Sequence, residues 1–166
     1  DYAPGSLRRL RAEHANVAIL RTVSKLGLAA LRVGWLEADA ALVRELDKVR
    51  LPWNVNAISL GFAASVLTHP DRIDAHVRAV VGWRRTLETE LRAIPGVTVW
   101  PSAASFVLVR VPVDAHAVHA GMLRRGVLVK DVARPGVLHD CLRITVGTTR
   151  ENARCVAALR EAIAEQ

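Results

Sequence analysis

The segment from Asn16 to Leu36 constrains the fold of this 166-residue chain more than any other part of the sequence. Asn16 to Thr22 is a short apolar run with β-branched residues, which is typical of a buried strand in a parallel sheet. Ser24 and Lys25 follow the run directly, and Arg32 to Leu36 has the pattern of a second strand. Ligand sites in α/β folds lie at the carboxyl ends of strands. The segment therefore predicts an α/β fold with a ligand site beside Lys25.

The side chains of this segment suit one kind of ligand. The hydroxyl of Ser24 neighbours the amine of Lys25, and Arg32 follows seven positions later across small, apolar residues. A hydroxyl and a planar guanidinium can hold a phosphate group in fixed geometry, and lysine is the residue that bonds the aldehyde of pyridoxal phosphate. For a Ser-Lys pair alone, a solvated loop lysine is the commoner explanation. The preceding strand, Gly27 and the later arginine favour a pyridoxal-phosphate site.

The remainder of the first half is predicted to be helical. Asp39 can cap a helix over residues 40–50, which places Leu42, Val43, Leu46 and Val49 on one face. Residues 54–68 predict an apolar helix that is buried on most sides. A long amphipathic helix is expected over about residues 71–94, where apolar residues repeat at three- and four-residue steps.

The pattern changes after this long helix. Alternating apolar runs predict four strands and capping residues predict two helices: strands at 97–100, 104–111, 127–130 and 141–146, a helix from Asp114 to Arg125, and a final helix opened by the capping box Thr148 to Glu151. We therefore predict two domains. Residues 1–70 form the carboxyl-terminal part of a large parallel-sheet domain, and residues 71–166 form a small α+β domain.

Composition excludes some classes of protein and leaves others open. The net charge is +7, but the arginines are dispersed among acids, which favours solvated helix faces over nucleic-acid binding. No apolar run approaches the length of a membrane span. The two cysteines lack metal or disulfide spacing and predict buried, reduced thiols in a cytoplasmic protein. His116 and His119 have helical ligand spacing but no evident third ligand, so we expect solvated histidines and no metal site.

Five blocks of sequence, in a fixed order, extend the interpretation to most of the chain. They are R-T-V-S-K-L-G-L-A-A-L-R-V-G-W at 21–35, R-L-P-W-N-V-N at 50–56, P-S-A-A-S-F-V-L-V at 101–109, G-V-L-V-K-D at 126–131 and C-L-R-I-T-V-G-T-T-R-E-N at 141–152. Together they resemble the fold-type I, class I/II aminotransferases, and among these the histidinol-phosphate aminotransferases. The resemblance implies the carboxyl-terminal portion of such a homodimeric, pyridoxal 5'-phosphate-dependent enzyme of histidine biosynthesis.

The first block implies the cofactor-binding residues. By position, Lys25 is the lysine that forms the Schiff base with the cofactor. Its amine must be unprotonated to react, and burial or nearby cations would lower its pKa. Ser24 and Arg32 bind the cofactor phosphate, with Thr22 assisting.

The later blocks imply the substrate-binding residues. Arg143 is the clamp for the anionic group of histidinol phosphate or of glutamate and 2-oxoglutarate. Lys130 stands where the family usually has a second arginine, which keeps the charge but loses the bidentate fork. Ser105 replaces an asparagine of the family pattern, so a substrate hydrogen bond is altered at this position.

The resemblance also implies that the enzyme is about twice this length. The missing portion would supply the phosphate-binding loop, the ring-stacking aromatic residue and the acid beside the pyridine nitrogen, so we expect negligible transaminase activity from these residues alone. The chain begins at Asp1, and its distance from Lys25 is shorter than the family's acidic block requires, so we expect Asp1 to lie beyond that block. A threonine-phosphate decarboxylase, another class I/II aminotransferase and a catalytically dead binding module stay open as alternatives.

Overall fold

The computed structural model describes residues 2–3 and 5–166, so Asp1 and the question of its catalytic role lie outside the described residues. The chain divides into two compact units, Ala3–Val77 and Arg78–Gln166. The division falls inside the long helix Pro70–Arg92, and the domain boundary expected at residue 70 stays a prediction. None of the helices in the described part of the chain combines the length and the apolar character needed to span a bilayer.

The first unit contains a two-stranded sheet and helices. Its elements in chain order are helix α1 (Arg8–Glu13), strand β1 (Ile19–Thr22), two 3₁₀ turns (Val23–Leu26 and Ala29–Leu31), strand β2 (Gly34–Glu37), helices α2 (Ala40–Val49) and α3 (Ala57–Leu67), and the start of α4 (Pro70–Arg92). The α/β character expected from the sequence is confirmed. Asp39 caps α2 as predicted, because its carboxylate accepts a hydrogen bond from the Ala41 amide at 2.7 Å.

The expected parallel orientation of the first strand is wrong. β1 pairs with β2 in antiparallel register, with Thr22 opposite Gly34 and Ile19 opposite Glu37. Parallel neighbours need a crossover of about a dozen or more residues, usually a helix. The connection here holds only two short 3₁₀ turns, so the chain returns as a hairpin. Gly34 is needed at the close approach, because a Cβ there would lie 2.7 Å from the carbonyl oxygen of Arg21.

The expected burial of α3 is also wrong within this unit. Only Ser59 and Ala63 of this helix are buried, whereas Ile58 is 86% exposed and Phe62 is 53% exposed. The apolar face of α2 is likewise left partly exposed, with no buried residue in the helix. The buried cluster of the unit is small and consists of Val23, Val33 and Ala63. Too few described elements surround these helices to cover their apolar faces.

The second unit is a four-stranded antiparallel sheet with helices. Its elements are the rest of α4, strands β3 (Thr98–Val99) and β4 (Phe106–Arg110), helix α5 (Ala115–Arg124), strands β5 (Lys130–Asp131) and β6 (Cys141–Thr145), and helix α6 (Thr149–Ala164). The strand order is β3-β4-β6-β5. The capping box is present as predicted, since Thr148 and Glu151 exchange hydrogen bonds at the start of α6.

The core of this unit lies on one side of the sheet. Val107 and Val109 of β4 and Leu142 of β6 are fully buried. They join a cluster with apolar residues of α4, α5 and α6, among them Leu87, Leu91, Val118, Met122 and Leu159. On the other parity of the strands, Phe106, Lys130 and Arg143 are exposed, whereas Cys141 at the start of β6 is buried. The unit therefore offers one open sheet face.

The predicted strand at residues 127–130 is observed only at Lys130–Asp131. Gly126 has a φ of 71°, and the Val127 amide donates to the carbonyl of Met122 at 3.0 Å, which closes the end of α5. The chain is thus held at the helix end and reaches β6 only at Lys130. This edge strand pairs over two residues, Lys130 opposite Arg143 and Asp131 opposite Leu142.

Candidate functional site

The turn that carries Ser24 and Lys25 is built by local hydrogen bonds. Thr22 precedes the 3₁₀ turn, and its hydroxyl oxygen accepts a hydrogen bond from the Ser24 amide at 3.0 Å. The same hydroxyl donates to the carbonyl of Val33 on the neighbouring strand at 3.0 Å. A hydroxyl has one proton to donate, so in this geometry Thr22 holds the turn and has no proton left for a phosphate.

Gly27 ends this turn with a φ of 86°, a left-handed conformation that favours glycine. Val23, inside the turn, is fully buried in the cluster with Val33 and Ala63, and this packing fixes the backbone of the turn. Lys25 itself is exposed, so the expected burial of its amine is not observed in the described structure. The turn presents this side chain outward from a fixed backbone.

Arg32 also has a special backbone conformation. It follows the second 3₁₀ turn with a φ of 56°, in the left-handed region that a non-glycine residue adopts at a cost of about 1 kcal/mol. Its guanidinium donates one hydrogen bond, from Nη1 to the carbonyl of Ala29 at 3.1 Å. The other guanidinium donors form no hydrogen bond with a residue that the structure describes, and nothing in the sequence pattern indicated this conformation.

These residues fit the donor set that a phosphate-bearing aldehyde needs. The Ser24 hydroxyl makes no hydrogen bond within the described part of the chain, and most donors of Arg32 are available. Lys25 supplies an exposed primary amine on the same loop. One loop of the first unit therefore holds a hydroxyl, an amine and a guanidinium suited to such a ligand.

In the second unit, a row of side chains crosses the open sheet face. Lys130 on β5 lies directly opposite Arg143 on β6, and Arg143 lies opposite Leu108 on β4. Like charges at directly opposite positions repel, and neither cation forms an ion pair with a described residue. The Arg143 guanidinium lies 5.2 Å from the ring centroid of Phe106, which favours a fixed cation. We call the pair Lys130 and Arg143 the cation pair.

Ser105 is not brought into this row. It lies one residue before β4, where its carbonyl accepts a hydrogen bond from the Val146 amide at 2.9 Å. It is therefore three positions along β4 from Leu108, the residue opposite Arg143. The sequence placed Ser105 with the substrate residues only through the resemblance, and its role stays a prediction.

The two histidines of α5 are not simply solvated, contrary to expectation. His116 Nδ1 lies 2.5 Å from Asp131 Oδ2, and His119 Nε2 lies 3.2 Å from the carbonyl oxygen of Val129. The hydrogen bond and charge of Asp131 raise the pKa of His116. The spacing of the histidines, one helical turn apart, was visible in the sequence, but their partners depend on how α5 packs against β5.

Both cysteines are buried and unpaired, as predicted. Burial raises the pKa of the Cys155 thiol to about 11, so it is protonated and unreactive at neutral pH. Among residues 2–3 and 5–166, no three His, Cys, Asp or Glu side chains group closely enough to hold a metal ion.

The amino-acid sequence is similar to known proteins over most of its length. The sequence matches the family described as aminotransferase class I and II over residues 1–159. It is 47% identical, over 153 residues, to a protein of Burkholderia lata named histidinol-phosphate aminotransferase 1. That alignment covers 92% of this chain and 43% of the relative, so the chain spans less than half of the relative's length.

Solved structures of other proteins share the fold of this chain. L-threonine-O-3-phosphate decarboxylase from Porphyromonas gingivalis matches at 25% identity and a TM-score of 0.83, over 99% of this chain and 52% of that protein. Histidinol-phosphate aminotransferase from Sinorhizobium meliloti, solved with pyridoxal-5'-phosphate, matches at 25% identity and a TM-score of 0.78, over 91% of this chain and 42% of that protein.

Proposed function

We propose a function from one premise: this chain belongs to the aminotransferase class I and II family and is a homologue of histidinol-phosphate aminotransferases. We propose that its residues form the carboxyl-terminal part of a pyridoxal-phosphate-dependent transaminase. The enzyme transfers an amino group between L-histidinol phosphate and 2-oxoglutarate. The similarity of nearly the whole chain to such enzymes supports this reading.

In this proposal, the loop from Thr22 to Gly34 holds the cofactor. The Ser24 hydroxyl and the Arg32 guanidinium bind the phosphate, and Lys25 is the point of covalent attachment. Thr22 positions Ser24 and Lys25 rather than touching the phosphate, because its proton is donated to Val33. Once bound, pyridoxal phosphate supplies an electron-withdrawing ring that makes a substrate carbon acidic. The Lys25 amine would be the base that moves that proton.

The cation pair binds the anionic end of the substrate. Arg143 offers a planar fork for a carboxylate or phosphate, and Phe106 holds its guanidinium from one side. Lys130 adds a second positive charge at the directly opposite position. An anion between them would offset their mutual repulsion, which supports a binding role over a purely structural one. Ser105 is a weaker candidate because it lies away from this pair.

The observation that carries the proposal is that one short loop presents Ser24, Lys25 and Arg32 together from a fixed backbone. Incubation with pyridoxal phosphate, reduction with borohydride and peptide mass spectrometry test it. Lys48 is a matched control, since it is exposed and held by Glu45 at 2.6 Å. We expect at least about tenfold preferential labelling of Lys25, because a bound phosphate orients the aldehyde. Arg32→Ala should reduce this preference, and equal labelling of all lysines would contradict the proposal.

A threonine-phosphate decarboxylase is a second candidate, favoured by the similarity to the Porphyromonas gingivalis enzyme. Both substrates carry a phosphate that the cation pair could bind. Activity assays on the natural full-length polypeptide separate the candidates: glutamate formation from histidinol phosphate supports the transaminase, and release of carbon dioxide from threonine phosphate supports the decarboxylase. A polypeptide that is labelled at Lys25 but performs neither reaction would favour another class I/II aminotransferase, whereas an unlabelled Lys25 would favour a binding module.

Three further expectations stay predictions. The full-length enzyme is expected to be a homodimer, and the reduced cysteines are expected to place it in the cytoplasm. The 166 residues alone are expected to show negligible transaminase activity.

A further inference from the structure

Strand β5 is too short to fix its own position. It is an edge strand that pairs with β6 over two residues only. Yet it carries Lys130, one half of the cation pair. A lysine side chain on a loosely held edge would sample many positions, and the entropy of ordering it would weaken anion binding.

Helix α5 holds this strand from both sides of Lys130. His119 binds the carbonyl oxygen of Val129 at 3.2 Å, and His116 binds the carboxylate of Asp131 at 2.5 Å. The second carboxylate oxygen of Asp131 accepts a hydrogen bond from the Ala133 amide at 2.8 Å. The residues before and after Lys130 are therefore both fixed, while the Lys130 side chain stays exposed.

We infer that His116 and His119 are positioning residues that hold β5 so that Lys130 faces Arg143 at a fixed place. This inference rests on the proposed anion-binding role of the cation pair. Two histidines one turn apart on α5 suit this task, because they lie on one helix face and contact the residues on either side of Lys130, Val129 just before β5 and Asp131 within it. Of the two, His116 makes the contact that depends on charge.

The charges around His116 determine how this contact responds to pH. Asp114 at the N-cap of α5, Asp131 on β5 and Asp140 before β6 all favour the protonated imidazole. His116 lines an open cleft of about 410 Å³ together with the cationic Arg134 and the titratable His139. His119 is the further titratable group close to Asp131.

The sign of the pH effect follows from these neighbours. Since Asp131 raises the pKa of His116 above its ordinary value, the charged contact is complete below the ordinary histidine pKa. It is lost as pH rises through the raised value. Anion binding at the cation pair should therefore weaken as pH rises from below the ordinary histidine pKa to above the raised pKa of His116.

NMR titration of the 166-residue chain with sulfate tests this inference, because the charge of sulfate is constant over that range. Amide shifts of Lys130 and Arg143 report binding, and hydrogen exchange of the Val132 amide, which donates to Cys141 at 3.3 Å, reports the order of β5. We expect His116→Ala to weaken sulfate binding about fivefold and to speed this exchange. His116→Asn keeps a donor near the Nδ1 position, so it should restore most of the affinity but remove the pH dependence.

His139→Ala is the matched control, because His139 is an exposed histidine 2.7 Å from Asp140 and is not attached to β5. It should leave binding and exchange unchanged. Wild-type behaviour of His116→Ala in both readouts, or equal effects of His139→Ala, would overturn the inference. Unmoved Lys130 and Arg143 amides in the wild type would instead contradict the anion role in the proposed function. Exchange of Val132 would still decide whether His116 orders the strand, and exchange of the buried Val107 amide checks that each variant is folded.

Discussion

The two units of this chain hold their candidate binding residues in different ways. In the second unit, the cation pair lies on a sheet whose other face is closed by a core of fully buried side chains. In the first unit, the loop with Lys25 depends on a Thr22 cap, two left-handed residues and a buried cluster of three residues. One unit is fixed by apolar burial, and the other by local hydrogen bonds and backbone conformation.

This difference shows where stability is concentrated. Burial of apolar area contributes about 25 cal/mol per Å², so a closed core makes a unit stable by itself. Exposed apolar residues contribute little until another surface covers them. Leu20, Val49, Leu51 and Ile58 of the first unit are each more than 70% exposed. The proposed cofactor loop therefore lies in the unit that is less stabilised by its own core.

The largest expected effect is on the core of the second unit. Leu159 is fully buried, and Leu159→Ala should lower the free energy of unfolding of this unit by about 3 kcal/mol. Leu46 on α2 is 42% exposed, so Leu46→Ala should cost less than about 1 kcal/mol. Urea unfolding followed by NMR resonances from each unit measures both, and equal losses would show that the two units do not differ in this way.

Native-state hydrogen exchange compares the units without any substitution. We expect amides of β4 and β6, such as those of Val107 and Ile144, to exchange on the order of a hundredfold more slowly than those of β1 and β2. The reason is that opening the first sheet exposes a much smaller core. Equal protection of Leu20 and Val107 would contradict this.

A pair of glycine substitutions tests the backbone part of the comparison. Gly27 has a φ of 86° with open space around it, so Gly27→Ala should destabilise the first unit by about 1 kcal/mol through backbone strain alone. Gly61, inside α3, also has open space but an ordinary helical conformation, so Gly61→Ala should stabilise by up to about 1 kcal/mol. Thermal unfolding measures both, and the same sign of change for the two would be inconsistent with this reasoning.

The smallest expected effect is a pH dependence of the first unit. Arg8 binds Glu37 on β2 at 2.7 Å, and hydrogen bonds from Arg8 and then from Trp35 lower the pKa of Glu37 to about 2. The contact therefore contributes fully above the ordinary glutamate pKa of about 4.3 and is lost as pH falls toward 2. Arg8→Met should return the pKa of Glu37, measured by NMR, toward its ordinary value.

Arg9→Met is the control for this prediction. Within the described residues Arg9 forms its ion pair with Glu13 on the same helix, at 3.5 Å, and both side chains are largely exposed. Its loss should leave the Glu37 titration unchanged, whereas a shift as large as that of Arg8→Met would refute the assignment.

Features set by short-range signals could be predicted from the sequence. The capping box at Thr148, the cap at Asp39 and the buried face of α4 were all foreseen, because each depends on residues within a few positions. The position of Ser24 and Lys25 directly after β1 was foreseen for the same reason, whereas Arg32 was expected to begin the second strand and lies on the loop before it.

Features set by the packing of distant elements could not be predicted. The orientation of β1 depends on how the loop to β2 is folded, and the exposure of α3 depends on which surfaces cover it. The left-handed Arg32 carries no sequence signal, since its residue type does not require that conformation. The contacts of His116 and His119 depend on how α5 packs beside β5, which no short-range signal in the sequence determines.

In the proposed enzyme, the loop of the first unit binds the cofactor and the cation pair of the second unit binds the substrate anion. NMR titration of the chain with pyridoxal phosphate and, separately, with histidinol phosphate tests this division most directly. We predict that the first ligand shifts the amides of Ser24, Lys25 and Arg32, and that the second shifts those of Lys130 and Arg143. Shifts of one common set of residues by both ligands, or no shift near Lys25 with pyridoxal phosphate, would contradict it.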